Sequence, residues 1–198
     1  RIDRSFDWGS SRPFSVGWWA EANGLPALVN GQERHFPRGS LIRVAEWYGC
    51  TGKPNEGLKM TATAVAAGIL EREQAMQISV RPGPADSAIY AVTDDVSIGQ
   101  NMAKAGVTWT MADKKAGSRK NGWELIRGRL ESSANGDDKP GIYVMDNCRD
   151  FIRTVPPLPR DSRDPDDIDT EAEDHIADEV RYRGLAPKRE TIVENLRI

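Results

Sequence analysis

The 198-residue sequence is poor in cysteine, in long apolar runs and in excess positive charge. Its two cysteines, Cys50 and Cys148, do not make a disulfide framework and fit a reducing cytoplasm better than secretion. No apolar stretch is long enough to span a membrane, and no signal peptide is visible. The net charge is −3, whereas a simple electrostatic nucleic-acid binder is normally basic. Any nucleic-acid role must therefore use a local basic patch.

Two kinds of motif are missing as well. There is no CxxC or HExxH pattern, and His35 is far in sequence from both cysteines, which argues against a zinc site. There is no Gly-rich phosphate loop, which argues against NTP hydrolysis by this chain. The sequence opens on Arg1 rather than Met, so we expect an excised domain of a longer protein.

What is present predicts a globular α/β domain. Apolar residues make up 38% of the chain and include six tryptophans. The alternation of residue types predicts a first strand that ends at about Trp8. Further strands are predicted over 14–21, 40–50, 76–86, 107–112 and 141–146. Helices are predicted over 53–73, 94–106, 118–132, 147–155 and 170–182. An early hairpin followed by alternating helices and strands indicates a mixed sheet covered by helices.

Two segments do not fit this pattern. Residues 156–169 are too rich in proline and charge to fold alone, and we expect a linker there. Residues 186–198 are predicted to be a C-terminal tail. The remaining 1–185 would then form one domain.

The predicted helix 170–182 has an unusual charge pattern. Thr170 and Glu173 have the spacing of a capping box. One face of this helix would carry Glu171, Asp174, His175 and Asp178. Like charges four residues apart oppose a helix by roughly 0.2–0.5 kcal/mol per pair. The face is either solvated or holds a divalent cation that offsets the repulsion.

Two further carboxylates are candidate ligands. Asp7 lies in an apolar strand, where Asp is disfavoured, and is either a turn former at the strand end or a buried metal ligand. Asp86 follows a strand, where ligands gather in α/β sheets, or simply caps a helix. Oxygen ligands suit Mg²⁺ or Mn²⁺. Three carboxylates from such places could hold two cations for phosphodiester hydrolysis. His175 could orient a ligand or shuttle a proton, or it is a surface histidine.

A basic segment could bind DNA phosphates despite the acidic total. Its cations are Lys114, Lys115, Arg119, Lys120, Arg127 and Arg129. The alternative is an ordinary solvated helix flank.

Five stretches together resemble the C-terminal nuclease domain of the large terminase subunit of tailed bacteriophages. They are RSFDWGSSRPFSVGWWA, PGPADSAIY, DKKAGSRKNGWELIRGRL, CRDFIRTVPPLPRD and DPDDIDTEAEDHIADEVRY. Their order and spacing, from about residue 3 to 185, carry the resemblance. It implies an RNase H-like fold and a two-metal endonuclease that cuts concatemeric double-stranded viral DNA with little sequence specificity. It also implies the cytoplasm of an infected bacterium, a packaging ATPase N-terminal to this chain, the small terminase subunit and the procapsid portal as its context.

The same resemblance assigns roles to residues. Asp7 and Asp86 would be the first and middle carboxylates of a site for two Mg²⁺ or Mn²⁺ ions. Asp178 is the favoured third ligand, because the family's His-x-x-Asp spacing matches His175 and Asp178, and Asp174 is a close second. Two alternatives stay open: a non-catalytic DNA-gripping or docking module of the packaging motor, and a related RNase H-like enzyme such as a junction resolvase or an RNA–DNA hybrid nuclease.

Overall fold

The structure, a computed structural model, describes residues 2–93 and 95–187, so the predicted tail lies outside it from residue 188 onward. The strands are β1 Ile2–Asp7, β2 Ser15–Glu21, β3 Ala27–Val29, β4 Gln32–Arg34, β5 Leu41–Tyr48, β6 Val80–Arg81, β7 Pro84–Ala85, β8 Val92–Thr93, β9 Val96–Ser97, β10 Thr110–Met111 and β11 Ile142–Val144. The helices are α1 Ala62–Ala75, α2 Ile98–Lys104, α3 Ser118–Asn135, α4 Arg149–Thr154 and α5 His175–Leu185, with a 3₁₀ turn at Ser87–Tyr90.

Seven strands form a mixed central sheet in the order β10-β7-β1-β2-β5-β11, with β6 also paired to β1. The predicted hairpin is confirmed, because β1 runs antiparallel to β2 from Ile2↔Ala20 to Asp7↔Ser15. The β2–β5 pair is also antiparallel. The remaining pairs, β1–β6, β1–β7, β7–β10 and β5–β11, are parallel. The sheet is therefore mixed, as the sequence predicts.

Helices cover both faces of this sheet. Alternate residues of a strand point to opposite faces, and Trp18 and Trp19 accordingly lie in two separate clusters. Trp18 belongs to the cluster that includes Ile69 of α1 and Met102 of α2. Trp19 belongs to the cluster that α3, α4 and α5 complete. The second face is the one that carries the candidate site.

Two predicted helices begin later than expected. The first starts at Ala62 rather than at residue 53, because the Thr61 side chain accepts a hydrogen bond from the Ala64 amide (3.2 Å) and caps it. The preceding residues form turns, and the Gly57 amide there donates to the Ser11 carbonyl (2.8 Å). The second helix starts at Ile98, after a capping box formed by Ser97 and Gln100.

The predicted strand 76–86 is broken into β6 and β7. Pro82 and Pro84 carry no amide hydrogen, so they cannot donate to a continuous ladder. The strands predicted over 107–112 and 141–146 are present but shorter. The basic helix is confirmed as α3 and extends to Asn135.

The start of the acidic helix and the linker need correction. Helix α5 begins at His175, and the Thr170–Glu173 capping box does not form, because Glu173 accepts hydrogen bonds from Arg153 of α4 (2.7 and 3.0 Å). Glu171 is therefore not on α5. Residues 156–169 are not a linker: they contain an antiparallel bridge, Arg160↔Ile168, and Ile168 is buried. No helix among the described residues could cross a membrane.

Candidate active site

Three segments that are distant in sequence meet at the edge of the sheet formed by the carboxyl ends of β1 and β7. Asp7 ends β1, and Asp86 follows β7 directly. Strands β1 and β7 are parallel and pair through Phe6↔Ala85, so Asp7 and Asp86 occupy equivalent positions on neighbouring strands. Helix α5 begins beside them, with His175 Nδ1 3.5 Å from Asp7 Oδ2. The sheet edge thus brings together residues that are about 170 positions apart in sequence.

Asp7 is buried among other acids. Its side chain is only 9% exposed. Burial raises the pKa of Asp7 well above its usual value, and the charges of Asp178 and Asp86 raise it further. The ionised form is therefore costly unless a cation lies nearby.

Asp174, the residue directly before α5, is a second acid with a raised pKa. Burial raises the pKa of Asp174 to about 7, and the Asp178 charge adds to the shift. His175 Nδ1 lies 3.9 Å from Asp174 Oδ1, and burial lowers the pKa of this imidazole. Its Nε2 atom is buried and has no hydrogen-bond partner in the part of the chain that the structure describes. His175 is therefore not an ordinary surface histidine.

Asp86 is held by three donors. Its carboxylate accepts hydrogen bonds from the Ala88 amide (2.7 Å), Lys114 Nζ (2.5 Å) and the Tyr182 hydroxyl (3.2 Å). Burial alone would raise the pKa of Asp86, but these hydrogen bonds and the Lys114 charge outweigh it and lower the pKa. Asp86 caps the 3₁₀ turn and lies near Asp7, so the capping interpretation is confirmed and its role as a ligand stays a prediction.

Asp178 is paired with arginines. Its Oδ1 accepts from Arg181 (2.8 Å) and from Arg119 (3.4 Å). Within residues 2–93 and 95–187, no group of three or more His, Cys, Asp or Glu side chains is arranged to hold a metal ion. The donor chemistry nevertheless fits Mg²⁺ or Mn²⁺, since hard oxygen atoms converge and repel one another. Asp86 and Asp178 would have to exchange their present cationic partners for the metal.

No protein-family model and no curated protein sequence matches the chain. Solved structures do match. The large terminase from a thermophilic bacteriophage, in complex with ADP, superposes with a TM-score of 0.61 and 16% identity over 92% of this chain. The P22 large terminase nuclease domain gives a TM-score of 0.59 and 14% identity, covering 93% of this chain and 82% of that domain. The chain has the fold of a large-terminase nuclease domain.

This terminase nuclease fold confirms the RNase H-like α/β prediction. The chain spans only 38% of the length of the thermophilic phage's large terminase. The likeness at this identity concerns the fold, and the roles of the individual side chains stay predictions.

Most of the predicted DNA-binding cations already make ion pairs or hydrogen bonds with other residues of the domain. Lys114 pairs with Asp86, Arg119 with Asp167 and Asp178, and Lys120 with Asp164, while Arg127 and Arg129 donate to the carbonyls of Asp166 and Gly39. Lys115 is exposed, and among the described residues its amine has no ion-pair partner. The basic segment is thus much less free to meet phosphates than its sequence suggests.

Sequence reasoning missed three residues of the hydrogen-bond network around the site. Arg181 donates to Asp178, three positions earlier on the helix, a spacing that the helical period could have indicated. Tyr182 donates to Asp86, which lies 96 positions away in sequence. Asp167 binds Arg119 and Trp123 Nε1 (2.8 and 2.9 Å) from the irregular 156–169 segment. No periodicity marks a position in such a segment.

Proposed function

We propose that the chain is the metal-dependent endonuclease domain of a phage DNA-packaging terminase large subunit. The observation that carries this proposal is the meeting of Asp7, Asp86 and the acidic first turn of α5 at one sheet edge of a terminase nuclease fold. Burial and repulsion raise the pKa of Asp7 even though Lys114 is near. The negative charge at this position is therefore not fully compensated by the protein, which supports the binding of a cation there.

Asp7, Asp86 and Asp178 would hold two Mg²⁺ or Mn²⁺ ions, with Asp174 as the alternative third ligand. Such a pair of ions supplies an activated water and stabilises the leaving oxygen of a phosphodiester. Strands β1 and β7 hold the first two carboxylates side by side. His175 Nδ1 lies 3.5 Å from Asp7 Oδ2, where it would orient that carboxylate, and its buried Nε2 would accept or deliver a proton.

The proposed substrate is concatemeric double-stranded DNA, cut with little sequence preference. Lys115 and the neighbouring cations of α3 would contact its phosphates. The proposed context is a motor with an N-terminal packaging ATPase, the small terminase subunit and the procapsid portal, in the cytoplasm of an infected bacterium.

The test is plasmid cleavage. Supercoiled plasmid is incubated with the protein in EDTA, Mg²⁺ or Mn²⁺, beside Asp86→Asn and the matched control Asp138→Asn, which changes an exposed aspartate outside the site. We expect cation-dependent nicking and linearisation by the wild type and by Asp138→Asn, and none by Asp86→Asn. Cleavage that persists in Asp86→Asn would remove Asp86 from the site.

A second candidate is a non-catalytic DNA-gripping module. The observation that favours it is the pairing of Asp86 and Asp178 with Lys114, Arg181 and Arg119, which satisfies these acids without a metal. DNA binding without cleavage under any cation would support this candidate against the nuclease.

A further inference from the structure

Helix α5 lies antiparallel across β1 and meets it through three polar contacts, which we call the polar ladder. Its rungs are Asp3–Arg183, Ser5–Glu179 and Asp7–His175. Each step moves two residues forward along the strand and four residues back along the helix. Two strand residues rise about 6.6 Å, and four helix residues rise about 6.0 Å. The two periods match closely enough for all three rungs to form together.

The middle rung is fully buried. Glu179 is 0% exposed and accepts hydrogen bonds from Ser5, from Arg43 Nη1 (2.5 Å) and from Trp19 Nε1 (2.9 Å). A methyl group at Gly17 would overlap with Arg43 Nη1 and with Glu179 Oε1. Glycine at this position therefore leaves the room that the Arg43–Glu179 pair occupies.

The distal rung is a bidentate ion pair. Arg183 Nε and Nη2 donate to the two Asp3 oxygens at 2.7 and 3.0 Å, and Nη2 also lies 3.2 Å from Glu21. Both Asp3 and Arg183 are buried, at 4% and 5% exposure. A bidentate guanidinium–carboxylate contact fixes direction as well as distance.

We propose that Glu179 and Arg183 are positioning residues of the nuclease: the polar ladder sets the axial register of α5 on β1 and so holds Asp174 and Asp178 over Asp7. This inference rests on the proposed function, in which those carboxylates share the cations. A slip of α5 by one turn would set Glu179 against Asp7 and move Arg183 from Asp3 to Ser5. Two buried acids would then face each other, so the ladder admits one register.

The experiment compares Arg183→Met with Arg4→Met. Arg4 is an equally buried arginine of the same strand, 4% exposed, but it points to the other face and pairs with Glu73 (2.8 Å). Both variants remove one buried ion pair of β1, and only the first breaks the ladder. Two quantities are measured: the Mn²⁺ dissociation constant without DNA, and hydrogen exchange of the amides of residues 174–180.

For Arg183→Met we expect the Mn²⁺ dissociation constant and the exchange rates of 174–180 to rise by about tenfold or more, since a loosened helix opens locally. Arg4→Met should change the dissociation constant and the exchange rates by less than about twofold, when each variant is measured at the same number of degrees below its own Tm. Arg183→Lys should recover part of the loss. Equal effects of the two methionine variants, or no effect of Arg183→Met, would overturn the positioning role.

Should Arg183→Met not fold, Gly17→Ala tests the middle rung. Its control is Gly68→Ala, where a methyl group would crowd the Trp47 ring. Faster exchange at 174–180 in Gly17→Ala alone supports the ladder, and equal exchange in both overturns it. If the wild type binds no Mn²⁺, the proposed metal site fails, while the exchange comparison still decides the ladder.

Discussion

The two faces of the central sheet differ in the side chains that β1 directs toward the helices. Under α1 and α2, Phe6, Trp18 and Ile69 are 0% exposed and form an apolar core. Under α5, the side chains of β1 are Asp3, Ser5 and Asp7. They contact Arg183, Glu179 and His175 of the helix. Apolar packing tolerates small shifts at modest cost, whereas buried charges must meet their partners. Both faces bury an apolar cluster, but on the second face polar contacts between β1 and α5 are added to it, and we expect these contacts to fix the position of the helix.

The largest stability effect is expected on the apolar face. Ile69→Ala should lower the free energy of unfolding by about 3 kcal/mol, because it removes buried methyl groups and leaves a cavity. Urea unfolding measures the loss. The Mn²⁺ affinity of the folded protein should not change, and a parallel loss of affinity would mean that the two faces are not separable.

Asp174→Asn should instead raise the free energy of unfolding at neutral and higher pH. With the folded pKa at about 7 and an unfolded value of about 3.9, the unfolded chain loses this proton first as the pH rises. The wild type therefore loses stability between these values. A difference of about three pKa units corresponds to about 4 kcal/mol. Besides burial, part of the shift comes from the charges of Asp178 and Asp7, which share the protons of this cluster with Asp174. We therefore expect the variant to be more stable by about half of that, on the order of 2 kcal/mol, at pH 8 in EDTA, and equal to the wild type below about pH 4.

Thermal unfolding against pH checks this, with Asp138→Asn as the exposed control. A constant difference between variant and wild type across the pH range would show that the ionisation of the buried Asp174 carboxyl is not its cause.

Asp167→Asn probes the contact between the 156–169 segment and α3. Burial alone would raise the pKa of Asp167, but hydrogen bonds from Arg119, the Ile168 amide and Trp123 lower it. This stabilisation is present above the unfolded pKa and is lost as the pH falls through the lower folded value. We expect a loss of about 1 kcal/mol at pH 7, and Asp164→Asn, which changes a more exposed ion pair, should lose less. Urea unfolding of both variants at pH 7 measures the two losses.

The smallest effect concerns the basic segment. Lys115→Ala should reduce the slope of log K against log salt for DNA binding by about one. Lys120→Ala should reduce it less, because Asp164 already lies 2.6 Å from its amine. Binding isotherms at several salt concentrations measure both slopes. Equal reductions would indicate that DNA displaces Asp164.

Sequence patterns predicted the elements whose residues alternate cleanly. The β1–β2 hairpin and α3 follow from local periodicity, and the structure has both. The predicted start of α5 was wrong because Glu173 makes its bonds with Arg153, a partner that no local pattern reveals. The polar ladder was also missed, although Asp3, Ser5 and Asp7 recur by two and the helix residues of its rungs by four. Recognising it requires knowing that α5 crosses β1.

The candidate site was predictable in part. Asp7 stood out because Asp is disfavoured inside an apolar strand, and Asp86 because ligands gather where strands end; the sheet places the two together. The internal pairing of the basic segment was not predictable, since its acidic partners lie in an irregular loop. Which carboxylates bind a cation stays a prediction for the cleavage and Mn²⁺ measurements.

The Asp3–Arg183 rung joins residues 180 positions apart. During translation the first strand leaves the ribosome long before its helical partner, by roughly 10–40 s at ordinary synthesis rates. Asp7 and Asp86 can come together in that interval, but the acids of α5 cannot yet join them. A nascent chain that stops short of α5 would therefore present an incomplete site, and the proposed cutting activity would arise only after almost all of this fold has been synthesised.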